Sequence, residues 1–291
     1  MNTPVPPTSA SAAEHADRLV ERERRTLEAA RALRTRENRL RRRDAALAVA
    51  TPIGLLLLWE VCARLLIIDP RFFPAPTAIL RAGAGMIADG ELWRHTGPTL
   101  LRLLVGGGLG ALAGIVVGLV MGTSRALNAA FGPLFAALYP LPKIAIFPIL
   151  LMIFGPTEIP KLLSVFITTF FVLQISTVAG VRALDPKLLE AARAYGATGL
   201  ARFRHVVLPG ALPFVLSGLR TATGTAVVVI TAVEFTGAST TGLGYLIWNS
   251  WQLFIPEKLY VGLVTIGLIG ALLTWALGLL ERVLIPWRAR Q

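Results

Sequence analysis

An all-α protein that crosses a membrane several times is the fold class this sequence predicts, and three observations predict it. Of its 291 residues, 54% are hydrophobic and only 16% charged. Its mean hydropathy is +0.64, beyond what a water-facing surface tolerates. The apolar residues collect into six runs of about 20 residues, the length needed to cross a hydrocarbon core about 30 Å thick at a rise of about 1.5 Å per residue.

The elements follow in chain order. Residues 1–44 form a basic tail, in which NTPVPPTSASA reads as disordered. The following AEHADRLVERERRTLEAARALRTRENRLRRRD reads as a helix with a thin apolar line of Val20, Leu27, Leu33 and Leu40, over too few turns for a coiled coil. It fits a solvated or membrane-surface helix anchored by Arg41, Arg42 and Arg43, or a docking element. So long a charged stretch ahead of the first span excludes a cleavable signal peptide. The first span, Ala45 to Ile68, holds the lone cysteine, Cys62, so no intrachain disulfide forms. Its Glu60 and Arg64, four residues apart, read as a self-neutralising pair.

Asp69 to Pro98 is an outer loop with a short amphipathic helix over Thr77 to Ala88. In the second span, Leu103 to Met121, Gly106, Gly110, Gly114 and Gly118 recur every four residues, with Gly122 after them. They leave a face on which another helix can pack closely, within this chain or in a second copy. The third span, Ala129 to Phe154, contains YPLPKIAIFP. There Pro140, Pro142 and Pro148 remove helix donors, and Lys143 places an ammonium at membrane depth. Such breaks are tolerated beside protein or a water-filled cavity, so Lys143, Pro140 and Pro142 are candidates for a translocation path. Snorkelling to an interface is the other reading of Lys143.

Leu162 to Val181 is the fourth span. The fifth, Ala211 to Phe235, carries Arg220 and Glu234 at opposite ends, two further path candidates for which snorkelling is again the alternative. After it, TGLGYLI reads as a turn or a short re-entrant segment, and Tyr260 to Leu280 is the sixth span. With the amino terminus inside, the outer loops keep only five basic residues, Arg71, Arg81, Arg94, Lys161 and Lys258, while most others fall inside. That bias predicts both termini in the cytoplasm. The net charge of +12 therefore reports topology, and nucleic acid is excluded as a partner.

Between the fourth and fifth spans lies LLEAARAYGATGLARFRHVVLPG, polar and arginine-bearing. Asp185 is an N-cap with Pro186 at the first helical position, and Gly196 closes the helix in the left-handed conformation. Thr198 then caps a second short helix that ends before Pro209. Two helices at an angle, exposing the small side chains of Ala191, Ala192 and Ala194, are shaped to be gripped.

Glu190, Ala191 and Ala192, then Gly196, then Val206, Val207, Leu208 and Pro209 resemble the EAA-loop signature of permease subunits of bacterial ATP-binding-cassette importers, with valine at 206 where the family usually has isoleucine. The resemblance runs from about Leu55 to the end. IDPRFFPAPTAIL, GELWRH, PLPKIAIFPILLMIFG, TVAGVRALDPKLLEAAR and TGLGYLI are similar to the nitrate, sulfonate, taurine and bicarbonate branch. It implies the type I importer permease fold: six transmembrane helices in the bacterial inner membrane, with a cytoplasmic EAA coupling helix-turn-helix. It also implies two cytoplasmic ATPase subunits that grip Glu190, Ala191, Ala192, Gly196, Leu208 and Pro209. A second permease copy, often identical, and a periplasmic or lipid-anchored solute-binding protein on the outer face complete the implied assembly. Relatives of this branch also import thiamine-precursor pyrimidines.

None of the four lysines, Lys143, Lys161, Lys187 and Lys258, has P-loop context, so ATP and its Mg are expected on the partner ATPase and no cofactor on this chain. His15, His95 and His205 are too scattered for a metal site, and no catalytic set is present. A cation facing the path, Lys143 or Arg220, would favour a passing anion. A secondary transporter would show an internal repeat between halves, which this sequence lacks.

Overall fold

The computed structural model describes residues 39–41, 43–236 and 239–285. The expected tail helix before Arg39, and Arg42, Arg288 and Arg290, lie outside them. The chain divides into two compact units at Ile68 and Asp69. In the first unit α1, Arg39–Arg64, is long and apolar enough to cross a membrane, and Glu60 and Arg64 form the expected ion pair along it.

The second unit is helical throughout its described residues: α2 (Pro76–Ala88), α3 (Glu91–Thr123), α4 (Arg125–Leu138), α5 (Phe147–Phe154), α6 (Ile159–Arg182), α7 (Pro186–Ala194), α8 (Gly199–Arg202), α9 (Leu208–Glu234), α10 (Leu243–Gln252) and α11 (Pro256–Leu284). Among the described residues of the whole chain five helices, α1 included, are each long and apolar enough to cross a membrane. A sixth crossing exists if α4 and the Lys143–Phe154 arm, bent by 90°, count as one span.

Helix α3 differs from the expected second span. It starts at Glu91, so residues 91–98, read as the end of the outer loop, and residues 99–102 form its first three turns. Pro98 lies inside it without ending it: having no amide, it leaves the carbonyl four residues back without that partner, and the helix continues on both sides. Lys161, also read as loop, is buried in the first turn of α6, and Lys258 opens α11 with its Nζ 2.7 Å from Glu91.

The core is a three-helix sandwich of α3, α6 and α9. The glycine face of α3 lies on α6: a Cβ on Gly106, Gly114 or Gly118 would stand 2.7, 2.6 and 2.6 Å from the nearest atom of that helix, and Gly110 meets the Phe166 carbonyl. The other face of α6 meets α9, where Gly180 abuts Phe214 and Gly218 abuts Ser176. Three apolar layers fill the sandwich, around Val165 and Ile230, around Leu173 and Ala222, and around Val181 and Ala211. In a membrane this backbone proximity, rather than release of water, is what holds helices together. At one end α10 packs on α11 with Gly262 against Ile247, and α2 packs there with Gly83 against Val261.

Candidate functional site

The 182–209 segment forms the first candidate region. Asp185 accepts from the Lys187 amide at 2.8 Å, and Pro186 occupies the first turn of α7. At its other end Gly196, at φ +80, closes a Schellman motif: its amide donates to the Arg193 carbonyl, and the Ala197 amide to that of Ala192, both at 2.9 Å. Glu190, Ala191 and Gly196 are exposed, Ala192 half-buried, and Tyr195 is 92% exposed. Among the described residues Glu190 makes no ion pair.

The second half of this segment differs from expectation. Thr198 makes no side-chain cap bond, and the second helix does not end before Pro209. It passes through a π-helical turn, Phe203–Val207, directly into α9, with Pro209 in the first turn of that helix. The wider turn solves the problem that proline poses. Pro209 has no amide to give and would crowd the carbonyl four residues back, and a five-residue hydrogen-bond step moves that carbonyl aside. Leu208 accordingly donates to the Phe203 carbonyl.

The broken span is the second region. Pro140 sits in the turn after α4, Pro142 is extended, and Pro148 lies in the first turn of α5. Lys143 neither snorkels outward nor points freely into a path. Its ammonium donates to the carbonyls of Leu138 at 3.3 Å, Leu141 at 2.9 Å, and Tyr139. It also lies 4.9 Å from the Phe171 ring centre. Three donors thus meet carbonyls where α4 ends, of which that of Leu138 also accepts from the Leu141 amide at 3.3 Å; this is the position at which the helix dipole favours a cation. Lys143 also lines a cavity of about 310 Å³ with Tyr139, Thr168, Thr225 and Val229.

The other two charged path candidates are elsewhere. Arg220 is half-exposed and paired with Glu281 on α11 at 2.8 Å, beside a separate cavity lined by Trp275 and Arg282. Glu234, a path candidate with snorkelling as the other reading, is 0% exposed. The physical reason is a partner that the sequence reading passed over, Arg102.

Arg102 is 1% exposed and organises the third region. Its Nε and Nη2 grip both oxygens of Glu158 at 2.6 and 2.7 Å, and Nη1 donates to Glu234 at 2.7 Å and to the Thr241 carbonyl at 3.1 Å. Lys161 donates to Glu158 at 2.8 Å. Glu234 accepts further from Thr99 at 3.0 Å and from the Gly244 amide at 2.9 Å, while Thr99 accepts from the Leu243 amide at 2.8 Å. The two glycines of TGLGYLI permit this approach, since a Cβ on Gly244 would lie 2.6 Å from the Cβ of Glu234. The stretch read as a turn or a short re-entrant segment is the start of α10, docked on a carboxylate. The charges balance, two against two, and the buried lone pairs are filled, the conditions under which a buried ion pair is tolerated. Glu158 is the exception in burial: its side chain is 52% exposed. Arg102, and Lys161 behind it, hold its carboxyl down at about 2.

The candidates thus occupy separate places. The structure brings Glu190, Ala191, Ala192 and Gly196 onto one exposed helix pair, and Gly106, Gly110, Gly114 and Gly118 onto α6. It does not bring Lys143, Arg220 and Glu234 together. Among the described residues no three His, Cys, Asp or Glu side chains gather so as to hold a metal ion.

Residues 110–288 match the family described as binding-protein-dependent transport system inner membrane component. The chain belongs to that family. The taurine transport system permease protein TauC of Escherichia coli (strain K12) is 32% identical to it, over 84% of this chain and 90% of that protein. The putative aliphatic sulfonates transport permease protein SsuC of Bacillus subtilis (strain 168) is 31% identical, over 81% and 86%. The bicarbonate transport system permease protein CmpB of Synechococcus elongatus is 31% identical, over 81% and 88%. Among solved structures, a chain of the inward-facing MetNI methionine ABC transporter superposes with a TM-score of 0.57 at 21% identity, covering 67% of this chain and 98% of that one. The arrangement of helices is that of a type I importer permease, and the protein is a multi-pass inner-membrane component of a transport system.

Proposed function

We propose that this chain is the membrane-spanning subunit of an importer for a small organic or inorganic acid of the taurine, alkanesulfonate, bicarbonate or nitrate class. ATP and Mg are bound and hydrolysed on two separate ATPase subunits, and this chain itself catalyses nothing. The observation that carries the reading is the α7–α8 pair. It is a locally capped, outward-facing helix-turn-helix with an exposed Glu190 and Tyr195, and it runs without interruption into a core helix. A loop that merely joined two spans would need neither the Schellman closure nor the continuity. Glu190, Ala191, Ala192 and Gly196 are the contact residues of the motor, and Leu208 and Pro209 join them to α9. Both termini are cytoplasmic. A periplasmic or lipid-anchored solute-binding protein docks on the opposite face, and a second copy of the chain completes the pathway across the bilayer.

The substrate class rests on the relatives' names, and one observation favours a second reading. All three Lys143 donors are committed to backbone carbonyls, and the remaining polar groups of its cavity are the neutral hydroxyls of Thr168, Thr225 and Tyr139. A neutral solute such as a thiamine-precursor pyrimidine would pass as readily, with selection left to the binding protein. Affinity purification of the tagged chain from its own membranes, with partners identified by mass spectrometry, tests the assembly. Calorimetry of the captured binding protein against taurine, methanesulfonate, bicarbonate, nitrate and a hydroxymethylpyrimidine then tests the solute. Capture of an ATPase and a binding protein is the expected result. Reproducible recovery of the chain alone under cross-linking would sink the importer reading.

A further inference from the structure

The ion network around Arg102 plays no part in the function proposed above, yet it ties together three otherwise separate pieces of the molecule. Glu234 is the last residue of α9, and α9 is continuous through the π-helical turn with the proposed motor contact at its other end. Its 27 residues make a rod about 40 Å long at about 1.5 Å per residue. Glu158 closes the short link between α5, the second arm of the broken span, and α6. Thr241 belongs to the segment that leads into α10. A single guanidinium, on α3, holds all three.

The grips are unequal. Separating Arg102 from Glu234, at 1% and 0% exposure, would leave two buried charges with no water to replace the lost partner. Separating Arg102 from Glu158 would not. Half of that carboxylate already faces outward, Lys161 stays bonded to it, and the freed guanidinium keeps Glu234 and Thr241. The network therefore has one detachable member, and its detachment frees the Lys143–Phe154 arm, whose Lys143 and Ile144 line one side of the Lys143 cavity. Packed helices switch between discrete arrangements rather than deforming continuously, and a bond of this kind can mark the difference between two of them.

We propose that Arg102, Glu158 and Lys161 are positioning residues of the transport cycle, a latch whose Arg102–Glu158 link opens when movement of the motor-contact helices reaches the Glu234 end of α9. The proposal rests on the reading of residues 186–209 as the motor contact. With the link closed, as in this structure, the α5 arm is held to α3. Weakening the link lowers the cost of leaving this arrangement, so ATP hydrolysis proceeds without the docking signal that normally releases it.

The test uses the full chain, co-purified with its own ATPase subunits and reconstituted in proteoliposomes, with ATP hydrolysis measured with and without the captured binding protein. Glu158→Gln keeps the size of the side chain and removes the charge. It is expected to raise hydrolysis in the absence of binding protein by about 5-fold or more, the lower end of typical coupling between sites. Glu158→Asp, still charged, should fall between it and the wild type. Asp44→Asn, at an exposed position in α1, should behave as wild type. A Glu158→Gln complex that assembles normally and hydrolyses at the wild-type rate, still dependent on binding protein, would overturn the latch alone. Should Glu158→Gln not assemble, Glu158→Asp is decisive: raised hydrolysis supports the latch, and a wild-type rate overturns it. A wild-type chain that captures no ATPase would overturn the importer reading and the latch with it.

Discussion

At its Glu234 end α9 is fixed by a buried network in which the carboxylate meets a guanidinium, a hydroxyl and an amide. At its Leu208 end it runs into two short helices whose Glu190, Tyr195 and Leu200 face outward. One helix thus ends in chemistry satisfied within the chain and begins in chemistry that is not. The first kind of end specifies a conformation, because any displacement strands a charge. The second specifies a partner, since its caps are satisfied locally and its side chains are left for something else. Variants at the two ends should accordingly fail in different ways.

Reversing the charge at Glu190 should produce the largest functional change. Glu190→Lys is expected to bring ATP-dependent uptake of the binding protein's ligand to background while leaving abundance and melting within about 0.5 kcal/mol of wild type, as for a surface substitution without partners. Normal uptake would dismiss the motor contact. At the other end Arg102→Met leaves Glu234 buried and unpaired, which should destabilise the fold by about 3–5 kcal/mol, read as loss of folded yield in detergent. Replacing both residues by Met should recover part of that loss, and if it does not, the network matters through more than its unpaired charge.

A smaller effect is expected on the glycine face. Gly118→Val sets a Cβ 2.6 Å from that of Thr177 and should cost about 1–3 kcal/mol by overpacking. Gly108→Val, with open space around its Cβ, should cost less than that when both are followed by thermal unfolding. Smallest of all is the response to acid. Arg102, and then Lys161, hold the Glu158 carboxyl at about 2 in the fold against an ordinary value near 4.5. Its contribution is therefore full above about pH 4.5 and lost as pH falls towards 2. Solvent screening of a half-exposed carboxylate keeps it below about 1 kcal/mol. Glu158→Gln should flatten the melting temperature across that window, and an unchanged pH profile would show that the pair contributes nothing there.

The two ends also differ in how far the sequence reveals them. Asp185, Pro186 and Gly196 act on their own neighbours, so the boundaries of α7 could be read from three residue types at fixed spacing, as could the start of α2 near Pro76. Glycine periodicity marked one face of α3 but not what would cover it, because spacing along one helix does not name its partner. The Arg102 network was illegible for the same reason: its bonds join residues 56, 132 and 139 positions apart. A signal was nevertheless available. Arg102 and Glu234 are opposite charges in apolar runs, each improbable alone, and the charge bias of the loops puts them at the same end of the bundle. Reading intramembrane charges as pairs rather than singly would have found them. Thr198 and Pro209 misled because local cap and breaker rules describe an ordinary α-helix, and the chain adopts a π turn instead.

That turn, Phe203–Val207, has a geometric corollary. One residue advances an α-helix by about 100° around its axis, so a turn holding an extra residue rotates everything on its amino-terminal side while the packing of α9 stays in register. The compass bearing of the α7–α8 pair is thus set by a count of residues together with the packing of Leu189 and Phe203 on the Val181 and Ala211 layer. Deleting one residue from 203–207 would set that rotation against the packing of Leu189 and the short link from α6 to α7, and would turn the docking surface of Glu190 and Tyr195 in another direction.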